Sequence, residues 1–106
     1  MVKRGEVWLT ALDPTVGSEI RKTRPCIVVS PDELNAKLRT VIMVPMTTGS
    51  RIAPFRVAIT FRGKAGLAVP DHARSVDRRR CIKNLGSLDA SSLLKLLRVL
   101  RELFKE

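Results

Sequence analysis

Tyrosine is absent from this 106-residue chain, and its only aromatic residues are Trp8, Phe55, Phe61 and Phe104. So few rings are expected to be used in the core, which leaves hydrogen bonds and arginine for surface recognition. Histidine occurs once, at His72, so a two-histidine acid–base pair cannot form within one subunit. Cys26 and Cys81 both sit in apolar stretches, with no CxxC spacing. They read as two buried thiols acting as small hydrophobes, not as a disulfide framework. With a single histidine they are also too few for a zinc site. The ten carboxylates are scattered, without a DxD-like cluster for magnesium. Walker, Rossmann, HExxH and nucleophile-elbow patterns are all missing. No apolar run approaches the roughly 18 residues of a membrane span, and no long apolar stretch opens the chain as a signal peptide would. A cytoplasmic location is therefore expected. An enzyme made from this inventory is expected to work without metal or other cofactor, through arginine and hydroxyl groups.

What the chain does have is apolar substance and positive charge. Its hydrophobic fraction is 44%, enough for one core, and its length suits a single domain over residues 1–106. Twenty basic residues against ten acidic ones give a net charge of +10. No Asp or Glu occurs in residues 34–70, while Lys37, Arg39, Arg51, Arg56, Arg62 and Lys64 do. Arg74, Arg78, Arg79, Arg80 and Lys83 form a second cluster around Asp77. Such a field draws polyanions, of which nucleic acid is the commonest. The guanidinium fork suits phosphate and stacks on bases.

Strands are expected at 6–12, ended by Asp13-Pro14, and at 25–30, after a polar loop over 15–24. A turn or short helix should occupy 31–37. Further strands are expected at 40–46 and 55–61, with a hairpin-like connection over 62–66 returning at 67–69, and short strands near 73–76 and 80–83. The period then changes. Asp89 is a good N-cap, and Leu93, Leu96, Leu97, Leu100 and Leu103 or Phe104 recur at helical spacing, predicting a helix over 90–104 packed on the core. The fold class is mainly β with a C-terminal α-helix: a small antiparallel barrel or strongly bent sheet, closed by that helix.

Two segments carry the chemistry this inventory allows. In Gly17-Ser18-Glu19-Ile20-Arg21-Lys22-Thr23-Arg24-Pro25, a polar loop delivers Arg24 to the start of a buried strand, where Pro25 stiffens the backbone. In Val44-Pro45-Met46-Thr47-Thr48-Gly49, two hydroxyls close another buried strand. If those strands are neighbours, Arg24 and Thr47 can meet over a phosphate. A rim salt bridge from Arg24 to Glu19 and a turn-forming role for Thr47 are the ordinary alternatives.

These segments, with Arg4-Gly5-Glu6-Val7-Trp8, Leu12-Asp13-Pro14-Thr15-Val16-Gly17-Ser18-Glu19 and Asp71-His72-Ala73-Arg74-Ser75-Val76-Asp77, resemble the MazF/PemK family in the right order over nearly the whole chain. The resemblance implies an SH3-like barrel working as a homodimer. It implies a ribosome-independent endoribonuclease toxin that cuts single-stranded mRNA by 2′-OH attack, leaving 2′,3′-cyclic phosphate and 5′-OH ends. An acidic, MazE-like antitoxin would fill the same groove. By the same resemblance Arg24 and Thr47 are catalytic, and Glu19 and Asp71 support them. Ser18, Thr48 and Arg74 line the RNA path with His72, which stands where relatives often carry Gln. Two alternatives are a gyrase-inhibiting toxin on the same barrel and a non-catalytic RNA-binding module.

Overall fold

The computed structural model describes residues 1–13, 16, 17, 19, 22–48 and 52–106. Along them run β1 (Glu6–Ala11), β2 (Thr23–Val28), α1 (Asp32–Asn35), β3 (Thr40–Thr47), β4 (Val57–Phe61), β5 (Lys64–Ala68), β6 (Arg74–Asp77), β7 (Cys81–Ser87) and α2 (Ala90–Leu103). Single 3-10 turns at Pro70–His72 and Arg78–Arg80 flank β6. The strands pair antiparallel in the order β4-β5-β3-β2-β1-β7, with β6 beside β3. β3 joins the two halves. Residues 43–45 pair with β2 on one edge, while 40–43 pair with β6 and 46–47 with β5 on the other.

The sheet curls on itself. β1 and β7 slip register twice, between Val7 and Trp8 and between Leu9 and Thr10. Each slip adds local bend and twist. The two end strands approach, so that a Cβ on Gly86 of β7 would lie 3.6 Å from the Phe61 ring of β4. Alternation along the strands makes two cores. Under α2 lie Val7, Ile27, Val44, Val57 and Ile59, with Leu88 and the wholly buried Leu96. On the opposite face lie Leu12, Cys26, Val28, Val41, Met43 and Val76, with Trp8 packed against them. β2 and β3 are thus covered on both sides, which is why both read as unbroken apolar runs.

Helix α2 forms as its pattern predicts. The Asp89 carboxylate accepts from the Ser92 amide at 3.1 Å and from the Ser91 hydroxyl at 2.7 Å. Other boundaries moved. β2 starts at Thr23, because Ala11 and Thr10 of β1 pair with Thr23 and Arg24. A ladder hydrogen bond is indifferent to side-chain polarity, so the polar residues before Pro25 join the strand. β4 starts at Val57: Phe55, at φ 67°, is in the left-handed region and cannot continue an extended strand. The connection after β4 is tighter than expected. Arg62 and Gly63, at φ 53° and 76°, form a two-residue turn with Phe61 paired to Lys64, and positive φ at both centres is the signature of a type I′ hairpin.

Two composition-based expectations are corrected. The aromatic residues are not all core: Phe104 is 76% exposed and Phe55 46%, while Trp8 and Phe61 are half-buried. Phe104 lies at the C-cap of α2, beyond the turn that packs on the sheet. Of the two free thiols, Cys26 is buried but Cys81 is only partly covered, because it opens β7 at the edge of the sheet.

Candidate active site

The β2–β3 ladder pairs Cys26 with Pro45 and Ile27 with Val44. Continued by two residues, the same register sets Arg24 opposite Thr47. Antiparallel partners project to one face, so the guanidinium and the hydroxyl emerge on the same side. Both line one cleft of about 170 Å³, together with Pro25, Met46, Thr48, Phe61, Lys64, Ala65 and Gly66. Arg24 and Thr47 are half-buried, and Thr48 is exposed at the rim. Gly66 forms part of the floor. A Cβ there would come within 3.3 Å of the Thr47 carbonyl oxygen, so a side chain would push β3 and β5 apart.

The other residues singled out in the sequence are distributed around this cleft. Glu19 is exposed, and its carboxylate accepts from the Val16 amide at 2.5 Å. Asp71 sits in the 3-10 turn after β5 and forms a fork with Arg56, whose Nε and Nη2 donate to its two oxygens at 3.3 and 3.1 Å. His72 Nε2 is 3.7 Å from the same carboxylate. The Arg56 bond holds the Asp71 carboxyl below its ordinary pKa. Arg74 lies on the same sheet face as Arg24 and Thr47, through its pairing with Met43. Its Nη1 donates to the Leu12 carbonyl at 3.1 Å. Ser18 lies outside the described residues. The cleft therefore unites Arg24, Thr47 and Thr48; Asp71 and His72 gather at Arg56, and Arg74 lies beneath the β1–β2 loop.

Two features were not read from the sequence. Phe61 and Lys64 share the cleft with Arg24, although a strand-end phenylalanine and a hairpin lysine carry no motif. Arg80 Nη1 donates to the Ala11 carbonyl at 3.2 Å and also to that of Asp13. Together Arg74 and Arg80 hold three successive carbonyls at the base of the loop that leads to Arg24. On the far side, the Leu12 amide donates to the Lys22 carbonyl at 2.9 Å and the Lys22 amide to the Asp13 carboxylate at 3.1 Å. The loop is thus gripped at both ends.

Among the described residues, no three His, Cys, Asp or Glu side chains converge as a metal-ligand group. No helix among them is long and apolar enough to cross a membrane.

Residues 3–104 match the family described as PemK-like, MazF-like toxin of type II toxin–antitoxin system. Endoribonuclease PemK of Escherichia coli is 37% identical over 74% of this chain, and the match spans 62% of PemK's own length. Endoribonuclease MazF9 of Mycobacterium tuberculosis is 33% identical over 91% of this chain and 90% of its own. In three dimensions, MazF from Deinococcus radiodurans superposes with a TM-score of 0.85 at 28% identity, covering 96% of this chain and 94% of that one.

Proposed function

The chain belongs to the PemK-like, MazF-like family of type II toxin–antitoxin toxins, and from that premise we propose that it is an endoribonuclease cutting single-stranded mRNA at short sequences. The observation that carries this reading is the shared cleft: Arg24 and Thr47, 23 positions apart in sequence, line it together. The ribose 2′-oxygen attacks the adjacent phosphorus, an O2′–P bond forms and the P–O5′ bond breaks. The 2′ proton is lost, the 5′ oxygen gains one, and the ends are a 2′,3′-cyclic phosphate and a 5′-OH.

Arg24 stabilises the charge that builds on the phosphate oxygens in the transition state. A guanidinium is a poor proton acceptor, so its contribution is electrostatic. Thr47 orients the phosphate or the attacking hydroxyl; a threonine is too weak a base to do more. Glu19 and Asp71 are the supporting carboxylates, and the fork with Arg56 holds the Asp71 carboxyl below its ordinary pKa. Thr48, Ser18 and His72 bear on the RNA path, while Arg74, singled out with them, holds the base of the loop that leads to Arg24. The reaction runs without a metal ion. The protein acts as a homodimer in the cytoplasm and arrests growth until an acidic antitoxin covers the groove.

Purified protein is incubated with a long single-stranded RNA in EDTA, and the new ends are mapped. Discrete cuts whose 5′ ends accept phosphate directly from a polynucleotide kinase are expected. Intact RNA at high concentrations of folded protein would refute the reading. Arg24→Ala should abolish cleavage with the fold unchanged. Arg24→Lys should lose at least about a hundredfold in kcat, since an ammonium lacks the fork that matches two phosphate oxygens.

A further inference from the structure

We infer that the cleft beside Arg24 and Thr47 is a one-nucleotide subsite, in which Phe61 carries the base and Lys64 the phosphate next to the one that is cut. The assignment rests on the endoribonuclease reading and names what seats the substrate. The cleft, at about 170 Å³, is smaller than the roughly 300 Å³ at which clefts begin to enclose whole small ligands. It suits one base of a strand lying across it.

Phe61 is held as a fixed platform. On one side its ring approaches Gly86, where a Cβ would sit 3.6 Å from it. It packs against the core under α2 while only half-buried, and it lines the cleft. An aromatic ring anchored from behind and open in front loses little entropy when a base stacks on it. Lys64 is its direct partner across the hairpin, brought there by the two-residue turn Arg62-Gly63. The lysine is exposed and lines the same cleft as Arg24. A base and its phosphate are adjacent on a strand, and a ring and an ammonium are adjacent here. Gly66 lets β5 pack closely on β3 at the Thr47 carbonyl, which keeps the hairpin against the strand that bears Thr47. The β4–β5 hairpin therefore contributes to which base is accepted, and not only the loops that bear Arg24 and Thr47.

The test uses the unmodified protein and an RNA made uncleavable by one 2′-deoxynucleotide at a mapped cut position. Binding is measured by fluorescence anisotropy over a range of KCl. Phe61→Leu should weaken binding about tenfold and leave the salt slope unchanged. Lys64→Met should lower the slope of log affinity against log salt by about 0.7, the value for one phosphate contact on a single strand. Phe61→Tyr should bind as the parent does. An abasic nucleotide flanking the cut should weaken the parent about tenfold but Phe61→Leu hardly further, a coupling that a merely structural phenylalanine does not produce. Unchanged affinity in Phe61→Leu and an unchanged slope in Lys64→Met, with no coupling to the abasic site, would overturn the subsite while the parent still cuts. A parent that neither binds nor cuts RNA would overturn the endoribonuclease reading and this one with it.

Discussion

Cys26 illustrates how a single buried group sets a pH limit. Burial pushes its thiol up from 9.0 to about 12, with a hydrogen bond to Thr10 opposing the shift. Because the folded pKa exceeds the unfolded one, this thiol's stabilising contribution is complete below about pH 9. It is lost as pH rises toward 12, by up to about 1.4 kcal/mol per unit. The chain has no tyrosine to titrate in the same range. Urea midpoints at successive pH values should fall on the alkaline side for the parent and stay flatter for Cys26→Ala, even though that variant begins less stable. Equal slopes would show that the thiol is not the group responsible. Arg24 and Thr47 differ from Cys26 in legibility. Each stands at the mouth of a short apolar run with a proline beside or near it, a local pattern readable without coordinates. The Arg56–Asp71 fork was not readable, because nothing local ties two residues 15 positions apart.

At the scale of elements, the end of β1 and the two residues after it are held from the other end of the chain. Arg74 and Arg80 bind this stretch from 62 and 69 positions away. In the sequence they looked like parts of one basic patch facing a polyanion, whereas their guanidiniums are engaged with backbone carbonyls. Losing the Arg80 contacts should loosen the approach to β2, and small misplacements of a catalytic group are costly. Arg80→Ala should therefore lower kcat about tenfold with a smaller change in KM, and Arg80→Lys should restore only part. A variant that loses RNA affinity instead, with kcat intact, would return Arg80 to the binding surface. Helix α2 was legible residue by residue, since a cap and a leucine stripe are local signals. β2 was legible only in its apolar half; Thr23 and Arg24 become strand because β1 lies alongside to pair with them.

At the scale of the molecule, a charge of +10 on 106 residues shapes every encounter. An acidic antitoxin should bind tightly at low salt and lose affinity steeply between about 50 and about 200 mM KCl. It should also raise the unfolding temperature, by roughly 2.7 kcal/mol of stability at a hundredfold excess over Kd. Calorimetric titration of the antitoxin at both salt concentrations checks this, and salt-independent affinity would mean that apolar contacts dominate the complex.

The antiparallel β class, the closing helix, the sign of the field and the segments that carry the arginine and the hydroxyl are legible in the order of residues alone. Those follow from periodicity, capping and steric preference over a few neighbouring residues. That Phe61 and Lys64 share the cleft with Arg24, that Asp71 answers to Arg56, and that Arg74 and Arg80 serve backbone carbonyls emerges only in the folded chain. These contacts arise from strand register and from a sheet bent until its ends approach. Register and curvature depend on the packing of the whole core, and no short stretch of residues contains them.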